Sequence, residues 1–126
     1  MSQMNLNLDT NGFRSIANSF DLFFIDIWGV IHNGISIFED SINVLDELDK
    51  LNKEYVLLTN APRPNDTVKN FLIKMGLEKI KSEKVYTSGE AALENLSLKW
   101  KDKKFFHIGP PRDFDLFKLN EKNKVN

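Results

Sequence analysis

Four short apolar runs, set between segments whose apolar residues recur every three or four positions, constrain the fold of this chain most. The runs are "DLFFIDI" (21–27), "YVLLT" (55–59), "KVYTS" (84–88) and "KKFFHIG" (103–109). The first is short, aromatic-rich and nearly continuous into Trp28, which predicts a strand buried on both faces, as in a parallel sheet. Between the first two runs, Phe38, Ile42, Leu45 and Leu48 fall at helical spacing and predict an amphipathic helix. Asn65 is placed to cap a second helix with the face Val68, Phe71, Leu72 and Met75, and Gly76 to end it. "SGEAALENLS" predicts a third, with Ser88 as its cap. Upstream, "FRSIANSF" predicts a short helix on Phe13, Ile16, Ala17 and Phe20. After Gly109-Pro110-Pro111 stops the fourth run, "FDLFKLNEKNKVN" begins as a helical turn and fades into polar residues. Strands alternating with helices predict an α/β fold, a three-layer sandwich with a mostly parallel, Rossmann-like sheet.

The 126 residues suffice for one domain. Seventeen basic residues against 18 acidic ones leave a formal net charge of -1, which argues against a nucleic-acid or polybasic membrane surface. Only Arg14, Arg63 and Arg112 offer the planar fork suited to bidentate anion binding. With no cysteine, thiol nucleophiles and thiolate zinc sites are excluded. No apolar run reaches the ~18 residues of a membrane span. The start lacks the basic end and greasy stretch of a secretion signal, so a cytoplasmic location is expected.

In a parallel α/β sheet, ligands bind beyond the carboxyl ends of the strands. Asp26, Thr59, Asn60, Ser88 and His107 fall there. A carboxylate can attack phosphorus, and a hydroxyl with backbone N–H groups can hold the phosphoryl oxygens. An acid that merely ends a strand in solvent is the competing reading of Asp26.

"DLFFIDIWGVIHNG" and "YVLLTNAPRP" resemble the first two motifs of the haloacid-dehalogenase superfamily. The nearer branch is the NagD-like and nitrophenyl-phosphatase-like group with an α/β cap; "KVYTSGEAALENL" and "FFHIGPPRDFDLF" resemble it too. The resemblance runs from about Asp21 to Leu119 and is expected to cover only the N-terminal half of the family's core. It implies a phosphomonoester hydrolase acting through an aspartyl phosphate, with Mg2+ as cofactor and a small phosphorylated substrate. Asp26 matches the aspartate that is phosphorylated and binds magnesium. Trp28 stands where most members carry a second, proton-donating aspartate; its backbone carbonyl could still bind the metal. Thr59 matches the phosphate-binding hydroxyl, with Asn60 beside it. His32, Asn33 and Gly34 in the following flap, and Arg63 past the second strand, are candidate substrate contacts.

The family's later lysine and acidic motifs have no counterpart in these residues. Residues 1–126 are therefore expected to form a single partial hydrolase core domain without cap or C-terminal half, with impaired turnover. Asp113 and Asp115 as metal ligands, and Lys118 or Lys122 as the missing lysine, are weaker candidates than solvated surface. An alternative is a catalytically inactive binding module that forms a homodimer or associates through an exposed sheet edge. A phosphoacceptor receiver domain is a further alternative, although it would need extra acids where "IWG" follows Asp26.

Overall fold

The computed structural model describes residues 8–126, apart from the Phe114 side chain. Expectations that rest on residues 1–7, the lack of a secretion signal among them, lie outside the described residues. Two one-turn helices, α1 (Leu8–Asn11) and α2 (Arg14–Ala17), lead into β1 (Leu22–Asp26). Next come α3 (Glu39–Lys50), β2 (Glu54–Thr59), α4 (Asn65–Lys74), α5 (Lys79–Ser82), β3 (Val85–Thr87) and α6 (Ser88–Lys99). β4 (Phe105–Phe106), a 3-10 segment (Pro111–Asn123) and β5 (Lys124–Val125) follow.

Strands β1, β2 and β3 form a parallel sheet in that order, with Asp26 beside Leu58 and Thr59 beside Thr87. Parallel neighbours need crossover connections, and α3 and the α4–α5 pair supply them. The α/β fold with a parallel, Rossmann-like sheet is thus the one expected. Its core joins Ile27, Ile31, Leu45, Leu48, Tyr55, Leu57, Leu72, Leu77 and Val85. At the end of α4, Gly76 at φ +106° lets its N–H reach the Ile73 carbonyl and the Leu77 N–H reach that of Leu72. This is a Schellman ending, which satisfies carbonyls the helix would otherwise orphan. No helix among the described residues is long and apolar enough to cross a membrane.

Two expectations need correction. β1 is not buried on both faces. Phe23 and Ile25 pack against the core, whereas Leu22 and Phe24 on the other face are 47% and 67% exposed. Among the described residues, β1 has a neighbour strand on one edge only. The fourth run does not extend the sheet either. β4 pairs in parallel with β5, in the tail expected to fade into polar residues. Phe105 and His107 both pack on Phe117 of the 3-10 segment, with ring centroids 4.9 and 5.1 Å away, and this holds β4 to the tail.

The helices are locked to one another by a buried ammonium. Lys81 lies 2.8 Å from Asp46, 3.0 Å from Glu78 and 3.5 Å from Asp49. Burial works against its charge, but the hydrogen bonds it donates to Asp46 and Glu78 outweigh it and raise the lysine's pKa. Beside it the buried Tyr55 donates to Asp49 at 3.4 Å. Burial, and then the Asp49 charge, push the phenol up to about 12. A folded pKa above the ordinary 10.0 means this contribution is intact below pH 10 and is lost as pH rises toward 12. Denaturant titrations across that window are expected to show Tyr55→Phe losing stability less steeply than the parent. Identical alkaline profiles would contradict the assignment.

Candidate active site

Asp26 is the last residue of β1, and its Oδ1 accepts the Ile27 N–H at 2.8 Å, which bends the carboxylate over the strand's carboxyl end. The chain then folds back on itself. Gly29, at φ +77°, donates to the His32 carbonyl at 2.8 Å, and Ile31 donates to that of Ile27 at 2.8 Å. His32 makes single bridges to Trp28 and Ile37, so residues 28–37 form a small flap. Asn33 shapes its tip, where Oδ1 accepts the N–H groups of Ile35 and Ser36, each at 2.9 Å.

Gly34 carries a specific requirement. Its φ is +90°, and a Cβ there would lie 2.6 Å from both Cη2 and Cζ3 of Trp28. Glycine therefore lets the flap close onto one side of the indole, and Trp28 as a whole is 63% exposed. His32 is buried, edge-on to Trp28 at 5.3 Å and to Phe71 at 5.4 Å. Its Nδ1 accepts the Gly34 N–H at 2.8 Å, which places the ring proton on Nε2. Burial lowers the imidazole's pKa and favours this neutral form.

Thr59 ends β2, and its Oγ1 accepts the Ala61 N–H at 3.2 Å. The loop that follows is held from below by the start of α6. Thr87 Oγ1 donates to the Arg63 carbonyl at 2.5 Å, and Ser88 Oγ and the Gly89 N–H donate to that of Ala61 at 3.0 and 3.2 Å. A Cβ on Gly89 would sit 2.3 Å from the Arg63 carbonyl oxygen, so the loop needs glycine there. The expected caps are corrected. Thr87, not Ser88, caps α6 by accepting the Glu90 N–H at 2.9 Å. Asn65 is the first residue of α4, and its Oδ1 instead accepts the Thr87 N–H at 2.9 Å. Glu90 answers by accepting the Asn65 N–H at 2.8 Å.

These elements enclose an open cleft of about 510 Å³ lined by Phe24, Asp26, Trp28, Leu58, Thr59 and Asn60. Asp26, Trp28, Thr59 and Asn60, singled out from sequence, meet there. His32, Asn33, Gly34 and Arg63 do not line it. The first three build the flap behind Trp28. The Arg63 guanidinium donates to Asp115 at 2.8 Å and lies 3.9 Å from the buried Asp113. Those two acids thus serve a cation. Phe24 and Leu58 were missed. The signal was the period of two: Phe24, Asp26 and Trp28 alternate, and Leu58 pairs with Asp26. A second cleft of about 500 Å³ runs along α2 and α3, past Phe13, Ala17, Val44 and Leu48. Its charged lining groups, Arg14 and Glu47, are paired with each other at 2.9 Å, so the reactive side chains gather at the strand ends instead.

The family model described as haloacid dehalogenase-like hydrolase matches residues 23–120. The chain belongs to this family. The match takes in nearly the whole chain, which corrects the expectation that the likeness covers only the N-terminal half of the family's core. Likeness to NagD-like and nitrophenyl-phosphatase-like proteins stands. A haloacid dehalogenase-like hydrolase from Brucella suis 1330 is 28% identical with a TM-score of 0.70, over 82% of this chain and 39% of that one. A 4-nitrophenylphosphatase from Thermotoga maritima is 25% identical with a TM-score of 0.65, over 82% and 40%. A glycerol phosphate phosphatase from Mycobacterium tuberculosis, solved with magnesium, shares the fold at 21% identity and a TM-score of 0.61, over 86% and 32%. The chain spans about two fifths of the length of the first of these. No curated protein matches it by sequence.

Gly34→Ala is expected to displace the indole and shift the Trp28 emission in a Trp100→Phe background; an unchanged spectrum would contradict the packing described. Gly89→Ala is expected to cost about 1–3 kcal/mol by overpacking, measured by denaturant unfolding, while an exposed substitution such as Leu98→Ala costs little.

Proposed function

We infer that this site hydrolyses phosphomonoesters through covalent catalysis by Asp26. What supports the reading is one cleft that holds an acid at the end of β1 together with the Thr59 hydroxyl and Asn60 at the end of β2. A carboxylate oxygen of Asp26 attacks phosphorus in line, and the ester P–O bond breaks with its electron pair leaving on the alcohol oxygen. Water then attacks the aspartyl phosphate, restoring the carboxylate and releasing inorganic phosphate and a proton. Thr59 and Asn60 hold the phosphoryl oxygens.

The donor set suits a hard divalent cation. Asp26 offers a carboxylate and Trp28 a backbone carbonyl, both oxygen ligands of the kind magnesium prefers, and magnesium commonly binds through one or two carboxylates plus the substrate phosphate. Among the described residues no three His, Cys, Asp or Glu side chains gather into a fuller site. When bound, magnesium would neutralise charge between the acid and the phosphate. No lysine and no second acid lines the cleft among the described residues. Slow turnover follows, since one missing electrostatic donor costs ~10²–10³ in rate.

With an aryl phosphate and magnesium, slow turnover is expected. Asp26→Asn is expected to abolish it, and Thr59→Val to lower it by ~10²–10³. Turnover that survives Asp26→Asn would sink the reading.

A second reading, self-association, is favoured by the edge position of β1 among the described strands and by the open apolar face it shares with β2, where Leu22, Phe24 and Leu58 are 47%, 67% and 41% exposed. Two such edges are able to pair about a two-fold axis. Light scattering is expected to find a dimer whose population falls in Phe24→Lys. A monomer at high concentration would contradict it.

A further inference from the structure

Among the described residues, the cleft has one acid and no second group to pass a proton to a departing oxygen. Of Phe24, Asp26, Trp28, Leu58, Thr59 and Asn60, only Asp26 carries an acidic side chain. As the nucleophile it is committed to phosphorus when the ester bond breaks. The Trp28 indole is an N–H donor that cannot give up its proton at useful pH. The imidazole of His32 is buried, packed between Trp28 and Phe71, and its Nδ1 is taken by the Gly34 N–H. Arg63 is paired with Asp115. General acid catalysis ordinarily contributes ~10²–10⁴ in rate, and these residues forgo it.

We propose that the site selects phosphoryl donors whose leaving group departs as a stable anion, namely aryl and acyl phosphates, and discriminates against alkyl phosphates. The inference rests on the phosphatase reading of Asp26. The bond from Asp26 oxygen to phosphorus forms as the bond from phosphorus to the leaving oxygen breaks. The leaving group goes as an aryloxide or carboxylate, keeps the electron pair, and is protonated, if at all, by solvent afterwards. Water completes the cycle by cleaving the acyl phosphate. The exposed indole with Phe24 and Leu58 makes an apolar wall beside the acid, which disfavours charge localised on an alkoxide oxygen more than charge delocalised over an aryloxide ring or a carboxylate.

The test is kcat/KM of the full chain with magnesium, because that ratio reports the steps up to loss of the leaving group. Substituted phenyl phosphates, acetyl phosphate and glycerol phosphate are compared. The expected result is a steady rise as the phenol becomes more acidic, and a preference for 4-nitrophenyl phosphate over glycerol phosphate of ~10²–10⁴. Acetyl phosphate is expected to follow the activated aryl esters. If it follows glycerol phosphate, ring recognition sets the preference and the proposal fails. An aryl-to-alkyl ratio well below ~10² also overturns it. Trp28→Asp is expected to narrow the ratio by raising alkyl turnover, while the wild-type comparison stands by itself if that variant does not fold. Absence of Asp26-dependent turnover with every donor overturns the phosphatase reading itself and this proposal with it, a result distinct from a flat dependence on leaving group.

Discussion

Everything at the cleft depends on the parallel pairing of β1 with β2. The register sets Asp26 beside Leu58, so the two strands finish within one residue of each other and Asp26 and Thr59 reach the same rim. A slip of one residue would turn Asp26 onto the core face, because side chains alternate along a strand. The buried positions forbid that slip. Phe23, Ile25 and Ile27 on one side and Tyr55 and Leu57 on the other meet a common core, and moving either set outward would expose it to water.

A shared rim is useful only if the loops leaving it are rigid, and each is fixed differently. After β1, the flap is packed: Gly34 lies on Trp28, Trp28 on His32, and His32 on Phe71 of α4. After β2, the loop is hydrogen-bonded: Thr87, Ser88 and Gly89 take the carbonyls of Ala61 and Arg63, while Asn65 donates its N–H to Glu90 and accepts that of Thr87. Thr87 donates to one loop and caps its own helix with the same oxygen. Buried polar groups that are each satisfied in this way hold one arrangement and penalise others.

The alternation of strand and helix was legible because the periods of two and of about 3.6 differ sharply over α3 and β2. Which faces of a strand are covered was not. "DLFFIDI" reads as buried because it is apolar, yet its exposed face depends on what else lies against it. The partner of "KKFFHIG" was equally hidden, since a two-residue strand can pair wherever aromatic contacts hold it, and Phe117 holds it to the tail. At the site, Asp26 and Thr59 were legible as polar residues ending apolar runs. The occupations of His32 and Arg63 were not. Arg63 is claimed by Asp115, 52 residues on, and sequence spacing carries no signal of such a pair. His32 is claimed by the backbone of its own flap, which a turn at Asn33-Gly34 suggests only after the geometry is known.

The central claim is that the carboxylate of Asp26 takes up the phosphoryl group. The most direct measurement is peptide mass spectrometry after rapid acid quench of the chain reacting with an activated aryl phosphate and magnesium. A phosphoryl group on the peptide that carries Asp26, lost in Asp26→Asn, is the expected result. Hydrolysis proceeding with the phosphoryl group on another residue, or on none, would contradict the account.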